Sequence, residues 1–193
     1  MNKQKILKIS FSVLLNEGFV NISQIAKRTG LEEKKLYGLF SDGDKELYMD
    51  TVEYAGKAWV DKIKKEIAEK NDSESKLKTL AAGYTLGSKD YPESLSVYID
   101  LWKIIKDNKD EYVKERLRNI YNYYISEFCN IVNEINKFNI KYDELRSFAL
   151  FMTILSDMIH IQSLTLENNV DFESFKTMIE KITVAYFNGE PKI

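Results

Sequence analysis

The sequence predicts an all-α fold made of about nine helices. Only 2 prolines and 8 glycines interrupt the 193 residues, and 44% of the residues are hydrophobic, which is ample for a packed core. Apolar residues recur at steps of three and four along most of the chain, whereas the strict alternation of a half-buried strand is scarce. The length suits one domain, or a small domain joined to a medium one.

Three short helices are predicted within the first 40 residues. The first occupies about residues 3–17 and ends at Gly18; its apolar positions fall on one helical face, which favours an amphipathic helix over a signal peptide. The second begins after Asn21, where Gln24 follows three positions later in the pattern of a capping box. The third occupies about residues 33–40.

Six further helices are predicted beyond residue 40. Asp42 or Asp44 is expected to cap the first of them, and Pro92 to lie in the first turn of the third, where proline is tolerated. Their approximate limits are 44–69, 74–88, 92–105, 110–137, 143–167 and 171–187.

Residues 25–40 carry the most specific pattern in the chain, I-A-K-R-T-G-L-E-E-K-K-L-Y-G-L-F. Gly30 can take the positive φ that a sharp helix exit requires, and Ala26 is small enough for a second helix to cross close to the first. This arrangement is typical of a helix-turn-helix, whose second helix enters the major groove of DNA. A helical hairpin without a DNA-binding role is the alternative. The spacing I-A-x-x-T-G-L-x-x-x-x-L-Y-x-x-F closely resembles the DNA-binding domain of the TetR/AcrR family of ligand-responsive transcriptional regulators.

The resemblance also implies which side chains contact DNA. By position in the family motif these are Ser23, Gln24, Glu33, Lys34, Lys35, Tyr37 and, as an approximate match, Lys45. Glu33 and Lys34 match base-reading positions. Lys35 and Tyr37 match phosphate-contacting positions. Leu39 departs from the family, because a tyrosine or histidine commonly contacts phosphate there.

Charge is divided unevenly along the chain. Residues 1–40 carry seven Lys or Arg and three acidic residues, a net charge of +4, whereas the remainder carries 21 basic and 27 acidic residues, a net charge of −6. A basic end on an acidic body suits a protein that contacts phosphates with one end only. The family resemblance correspondingly implies a DNA-binding domain over residues 1–50 and a ligand-binding and dimerisation domain over residues 51–193.

Cysteine usage and hydropathy indicate the compartment. Cys129 is the only cysteine, so no internal disulfide can form and a reducing environment is expected. No stretch approaches the 18 or so consecutive apolar residues of a membrane span. We therefore expect a soluble cytoplasmic protein with no membrane partner.

The helix predicted at 143–167 carries two apolar stripes, about 100° apart round its axis. One consists of Leu145, Phe148, Met152, Leu155 and Ile159, and the other of Phe151, Ile154, Met158 and Ile161. A monomer needs one such stripe for its own core, so the surplus predicts a two-fold, four-helix homodimer interface shared with the helix at 171–187. The predicted interface residues are Met152, Leu155, Ile159, Phe175, Ile179 and Ile182. A fully buried central helix is the alternative.

Aromatic residues are abundant in the body of the protein. The 12 tyrosines and 10 phenylalanines exceed what a simple bundle needs, and ligand pockets favour aromatic linings with a few polar anchors. The candidates for ligand contact are Trp59, Tyr84, Trp102, Tyr121, Tyr124 and His160. Asp157 and His160 share a helical face, as metal ligands can, but the chain has a single histidine, so no metal or cofactor is expected.

Together these patterns predict a homodimeric regulator, a repressor released from a palindromic double-stranded DNA operator when a small apolar or aromatic inducer binds. The rival interpretation is an α-helical enzyme or small-molecule carrier with an aromatic pocket. A third is a related protein that activates transcription or has lost DNA binding. Against an enzyme, the sequence has no phosphate loop, no paired metal motif and no Ser or Cys nucleophile with a convincing base.

Overall fold

The computed structural model describes residues 1–86, 103, 106–107, 110–135, 140–166 and 171–189, and within these ranges it is all-helical, as predicted. The eight described helices are α1 (Lys3–Glu17), α2 (Ile22–Thr29), α3 (Glu33–Tyr37), α4 (Asp44–Ala68), α5 (Ser73–Leu86), α6 (Glu111–Ile135), α7 (Tyr142–Leu166) and α8 (Phe172–Asn188). The helix predicted to open at Pro92 lies almost entirely outside the described residues. Of the helices described, none is by itself long and apolar enough to cross a bilayer; only α1 and α2 taken together, bent by 113°, pass on length and composition.

The chain forms two compact units. The first unit is Met1–Ala58 with Tyr91–Ile120, and the second unit is Trp59–Asp90 with Tyr121–Ile193. α4 and α6 therefore each contribute residues to both units. The functional division at residue 50 stays a prediction.

In the first unit, local capping signals set the limits of α1 and α2. The predicted capping box is confirmed: Gln24 N donates to Asn21 Oδ1 at 2.9 Å, and Asn21 N donates to Gln24 Oε1 at 2.9 Å. Gly30 ends α2 at φ +69°, and its N–H donates to the carbonyl of Ala26 at 2.9 Å. The buried side chains that join α1, α2 and α3 include Ile6, Val13, Ile22, Ile25, Leu36 and Phe40.

The connection from α3 to α4 differs from the sequence prediction. The sequence predicts Asp42 or Asp44 as the cap of α4. Asp44 is instead the first residue of α4, and its Oδ1 accepts a hydrogen bond from Ile22 N at 2.7 Å, which satisfies a free N–H at the start of α2. α3 ends at Tyr37 rather than at residue 40, although Phe40 N still donates to the carbonyl of Leu36 at 2.9 Å. Leu39 N donates to the same carbonyl at 2.9 Å, an i→i−3 bond, so the chain keeps a helical turn beyond Tyr37.

In the second unit, α5 packs against both α7 and α8. Gly83 of α5 allows a close approach to α4, because a Cβ at this position would lie 2.8 Å from Cγ1 of the buried Ile63. Tyr84 and Phe128 are buried beside it, with ring centroids 5.1 Å apart in an edge-to-face arrangement. The core of this unit is therefore rich in aromatic side chains.

Candidate functional site

α3 presents charged side chains to solvent while Leu36 fixes it from beneath. Leu36 is fully buried, whereas Glu33, Lys34 and Lys35 are exposed. Among the described residues, neither lysine forms an ion pair. An open depression of about 510 Å³, lined in part by both lysines and by Leu39, lies beside the helix. The two ammonium groups are therefore available to an anionic partner.

Tyr37 lies at the end of α3 with 49% of its surface exposed. Its ring rests against Gly43, where a Cβ would lie 3.3 Å from Tyr37 Cε1. Gly43 also has φ +67°, a conformation that side chains rarely adopt. The glycine thus orients the ring while the tyrosine stays accessible, as a phosphate-contacting role requires.

The two candidates in α2 differ in availability. Ser23 is exposed. Gln24, in contrast, uses its carbonyl oxygen in the capping box and donates from Nε2 to Glu17 Oε2 at 2.7 Å. Glu17 also pairs with Arg28, its Oε1 lying 2.5 Å from Nη2. In this structure the Gln24 side chain joins α2 to the end of α1, which leaves Ser23 as the more open of the two candidates.

Lys45, at the start of α4, is engaged by an acidic residue far along the chain. Its Nζ lies 2.5 Å from Asp110 Oδ2 and 4.9 Å from the centroid of the Tyr112 ring. Asp110 also caps α6, because its Oδ1 accepts from Val113 N at 3.1 Å. These hydrogen bonds, that from Lys45 first, hold the pKa of Asp110 below its usual value. Nothing in the sequence signals this pairing of residues 65 positions apart.

A second set of ion pairs joins the same end of α6 to α4 and α1. Arg116 Nη2 lies 2.6 Å from Asp50 Oδ1 and 2.8 Å from Glu53 Oε2. Asp50 also receives Lys3 Nζ at 2.7 Å. All of these residues belong to the first unit. The start of α6 is thus bound electrostatically to the helix that follows the helix-turn-helix.

An aromatic cluster, formed by Trp59, Tyr84, Tyr121 and Tyr124, lies in the second unit. The Trp59 ring centroid is 5.1 Å from that of Tyr84 and 5.2 Å from that of Tyr124. Tyr84 Oη donates to the carbonyl of Tyr124 at 3.1 Å, and burial raises the pKa of Tyr84. Trp59 Nε1 is buried without a hydrogen-bond partner among the described residues. Four of the six predicted ligand-contacting residues therefore lie together.

The other two predicted ligand contacts cannot be placed. Trp102 lies outside the described residues, and His160 is described only as part of the α7 backbone.

Asp157 lies at one end of the aromatic cluster. Its Oδ2 accepts a hydrogen bond from Tyr121 Oη at 3.0 Å. Burial raises the pKa of Asp157 to about 6, against the opposing effect of that hydrogen bond. Because the folded-state pKa exceeds the usual value, the charged carboxylate destabilises the fold above about pH 6, and the penalty disappears as the pH falls toward 4. From the sequence alone, Asp157 stands out only because it shares a helical face with His160.

Of the two apolar stripes of α7, the one that supplied the predicted interface residues is mostly buried in the single chain, and the other is exposed. Met152, Ile159 and Ile179 are buried in the protein's own core, whereas Leu155, Phe175 and Ile182 are partly exposed. The exposed stripe of α7 consists of Leu150, Phe151, Ile154 and Met158, and on α8 Met178 is exposed. The apolar surface that the single chain leaves open on α7 is therefore the second stripe, while Met152, Ile159 and Ile179 lie in the core of the chain itself.

Comparison with known proteins bears on the fold. No protein-family model and no curated protein matches the chain. Among solved structures, a TetR transcription regulator from Haloarcula marismortui is 16% identical with a TM-score of 0.69, the match covering 94% of this chain and 96% of the other. The transcriptional regulator FadR from Bacillus subtilis, in complex with stearoyl-CoA, is 13% identical with a TM-score of 0.64, covering 95% and 98%. A transcriptional regulator from Saccharomonospora viridis in complex with choline is 17% identical with a TM-score of 0.59, covering 93% of each chain.

These matches extend over nearly the whole of each chain, and they are to transcription regulators rather than enzymes. The resemblance first seen in residues 25–40 is thereby confirmed for the architecture as a whole. The chain has the all-α fold of the TetR-type transcriptional regulators.

Proposed function

We propose that the chain is a ligand-responsive, DNA-binding transcriptional regulator that acts as a homodimeric repressor. The observation that carries this proposal is the chemistry of α3. Lys34 and Lys35 are exposed without ion-pair partners among the described residues, on a helix anchored by Leu36 within a helix-turn-helix. The fold shared with known regulators supports the same conclusion. A protein that used this surface only for solubility would not need an accessible, oriented tyrosine beside it.

Each side chain of the interface has a distinct task in this proposal. Lys34 donates to guanine O6 and N7, and Glu33 accepts from a cytosine amino group. Lys35 and Tyr37 hold the phosphate backbone and fix the register of α3 in the major groove. Ser23 adds a backbone contact from the first turn of α2.

The proposed dimer forms through the exposed stripe of α7 together with α8. Contiguous apolar surface of this kind marks an interaction site on most proteins. A second copy is the occupant, because a two-fold axis pairs the same stripe with itself and builds a four-helix interface. Phe175, Met178 and Ile182, which are partly exposed or exposed at helical spacing on α8, are the residues that α8 contributes in this proposal. Such a dimer presents two α3 helices to half-sites about one DNA turn apart.

The inducer in this proposal is a small apolar or aromatic molecule that contacts the aromatic cluster. The fold alone does not set its charge, since one matching structure holds stearoyl-CoA, an anion, and another holds choline, a cation. The inducer acts by binding one arrangement of the dimer more tightly than the other. Coupling of this kind changes operator affinity by about 1–3 kcal/mol.

Selection from a random duplex library tests the proposed function. At low salt the purified protein is expected to enrich one palindromic sequence, and its affinity should fall steeply as salt increases because neutralised phosphates release counterions. Affinity measured from 50 to 200 mM salt checks the second point. Enrichment of no sequence, or of sequences without two-fold symmetry, would refute the proposal.

Asp110→Asn is expected to tighten DNA binding by about two- to fivefold, as a modest surface ion pair is removed. Lys45 pairs with Asp110 in the free protein, so removing the carboxylate charge frees Lys45 for a phosphate. Asparagine still caps α6 by accepting from Val113 N, which leaves the helix intact. Fluorescence anisotropy with the selected operator measures the change.

Glu111→Gln is the matched control for this prediction. It removes the same charge from the neighbouring residue, which pairs with Lys114 and not with Lys45. Adding Lys45→Ala to Asp110→Asn should cancel the gain. An equal gain from Glu111→Gln would mean that general charge, and not release of Lys45, accounts for the effect.

A further inference from the structure

We infer that the depression beside α3 receives the 5-methyl group of a thymine in the operator, and that Gly38 and Leu39 determine the specificity of this contact. The inference rests on the proposed function and deepens it, because it names one base of the sequence that the regulator reads. It adds an apolar contact to the charged and hydrogen-bonding contacts proposed for this helix.

The first argument concerns Gly38, which needs no glycine for its own conformation. Its φ of −70° and ψ of −18° are helical values that any residue adopts. A Cβ at this exposed position would meet only the backbone oxygens of Lys35 at 3.4 Å and Lys34 at 3.7 Å, which are ordinary contact distances. Glycine nevertheless weakens a helix relative to alanine. The missing side chain is best explained by close approach of a partner, because the space it leaves open is part of the depression.

The second argument concerns the chemistry of the depression, which combines apolar side chains with positive charge. Leu31, Leu39 and Met1 supply the apolar part, and 36% of the Leu39 surface is exposed. The two lysines of α3 line it together with one acidic residue, Glu32, so the charges leave an excess of one positive. The matching partner presents an apolar group next to negative charge. A DNA duplex does so at thymine, whose methyl is the apolar group among the base edges of the major groove.

The third argument is the position of Gly38 relative to Lys34, the proposed base reader. Gly38 N donates to the Lys34 carbonyl at 3.1 Å, so the two residues lie one helical turn apart on the same face. One turn of an α-helix advances about 5.4 Å, and one base pair of DNA advances about 3.4 Å. The thymine is therefore expected one or two base pairs from the base that Lys34 reads.

Other groups of the duplex match the depression less well. A phosphate would face the Glu32 carboxylate and the Leu39 side chain, which has no hydrogen to donate. The amino group of cytosine needs a hydrogen-bond acceptor, which the side chains of Leu31 and Leu39 lack. The thymine methyl needs neither a donor nor an acceptor.

Replacing thymine by uracil in the selected operator tests the inference directly, because it removes only the methyl group. Each thymine is replaced in turn, at symmetric positions of both half-sites, and fluorescence anisotropy measures binding of the unaltered protein. One replacement, within two base pairs of the pair read by Lys34, is expected to weaken binding about fourfold per half-site, the effect of burying one methyl group. A thymine outside the half-sites is the control. If no replacement weakens binding more than this control, the inference is overturned, and an acidic protein segment becomes the better occupant.

Leu39→Asn is expected to abolish the difference between the thymine and uracil operators, because asparagine is close to leucine in size but presents a polar surface to the methyl. Phe19→Asn is the matched control. It removes an exposed apolar side chain of the same unit that does not line the depression, and it should keep the difference. The measured quantity is a ratio of two affinities for one variant, so a general loss of DNA binding does not alter it. Retention of the difference by Leu39→Asn, or its loss in both variants, would contradict the role of Leu39.

Gly38→Leu tests the open space itself. Leucine favours a helix more than glycine does, so the variant is expected to unfold at the same temperature as the parent or higher. Its side chain would occupy the place of the methyl, so affinity for the thymine operator should fall at least about fourfold, and thymine should no longer be preferred to uracil. A variant that keeps both the affinity and the preference of the parent would show that Gly38 does not border the methyl.

Failure of this inference can be distinguished from failure of the proposed function. A protein that selects a palindromic operator but does not distinguish thymine from uracil remains a DNA-binding regulator and loses only this contact. A protein that selects no sequence from the library overturns both, and that result is obtained before any uracil is introduced.

Discussion

Replacing Phe151 or Ile154 with glutamate is expected to convert the proposed dimer to a folded monomer and to remove operator binding at concentrations where the parent protein binds. The two side chains are 47% and 52% exposed on a single chain, so a charge is tolerated there while the chain is alone. In the dimer the two-fold axis brings two such charges into one apolar interface, and each uncompensated buried charge costs about 3–5 kcal/mol. Sedimentation velocity and circular dichroism together measure assembly and folding.

Two control variants distinguish loss of the dimer from a general effect of added charge and from loss of the fold. Tyr142→Glu places the same charge at another exposed position on α7, about 130° round the helix from the exposed stripe, and should leave the dimer intact. Met152→Glu alters a residue that is 1% exposed and should unfold the protein instead of separating it into monomers. If Phe151→Glu and Ile154→Glu remain dimeric and bind the operator, the interface lies elsewhere.

Loss of operator binding follows from the geometry of recognition. In the proposed complex one α3 helix reads one half-site, and a palindrome supplies two half-sites at a fixed separation. A monomer keeps the contacts of a single half-site and loses the second set, which the dimer holds at high effective concentration. A monomeric variant that bound the palindrome as tightly as the parent would therefore argue against two-fold recognition even if the dimer interface were correct.

The limits of the helices were predictable wherever a local signal sets them. Asn21 with Gln24, and Gly18 and Gly30 with their positive φ, act through residues at most four positions away, so the limits of α1 and α2 agree with the sequence prediction. The end of α3 was less predictable. It falls at Tyr37, and the chain then turns through Gly43, at φ +67°, to Asp44, whose side chain accepts a hydrogen bond from α2. Contacts between distant segments carry no local sequence signal.

The candidate sites, like the helix limits, were predictable where local spacing determines them and unpredictable where they depend on contacts between distant residues. The helical spacing on α7 indicated two apolar stripes, but spacing alone does not tell which stripe faces the core, because both repeat at the same intervals. Packing of α5 against α7 and α8 settles that choice for a single chain. The pairs Lys45–Asp110 and Tyr121–Asp157 join residues 65 and 36 positions apart, and only the folded structure brings them together.

Lys34→Ala and Lys35→Ala are expected to weaken operator binding in different ways. Loss of a base contact at Lys34 should cost about 1–3 kcal/mol on the preferred sequence and relax the preference for one base pair in each half-site. Loss of a phosphate contact at Lys35 should weaken all sequences alike and lower the slope of log affinity against log salt by about one per subunit. Competition binding with single-base operator variants, repeated over a range of salt concentrations, separates the two.

Lys8→Ala, an exposed lysine on α1, supplies the baseline for losing one positive charge without altering α3. Lys34 and Lys35 are adjacent, equally charged and exposed, and neither has an ion-pair partner among the described residues, so truncation removes a DNA contact without freeing an acidic side chain. If α3 attracted DNA only through its net positive charge, Lys34→Ala and Lys35→Ala would therefore lose the same operator affinity and keep the same base preference. A change of base preference confined to Lys34→Ala can arise only if that side chain reaches the base edges, and identical behaviour of the two variants would rule out direct readout at Lys34.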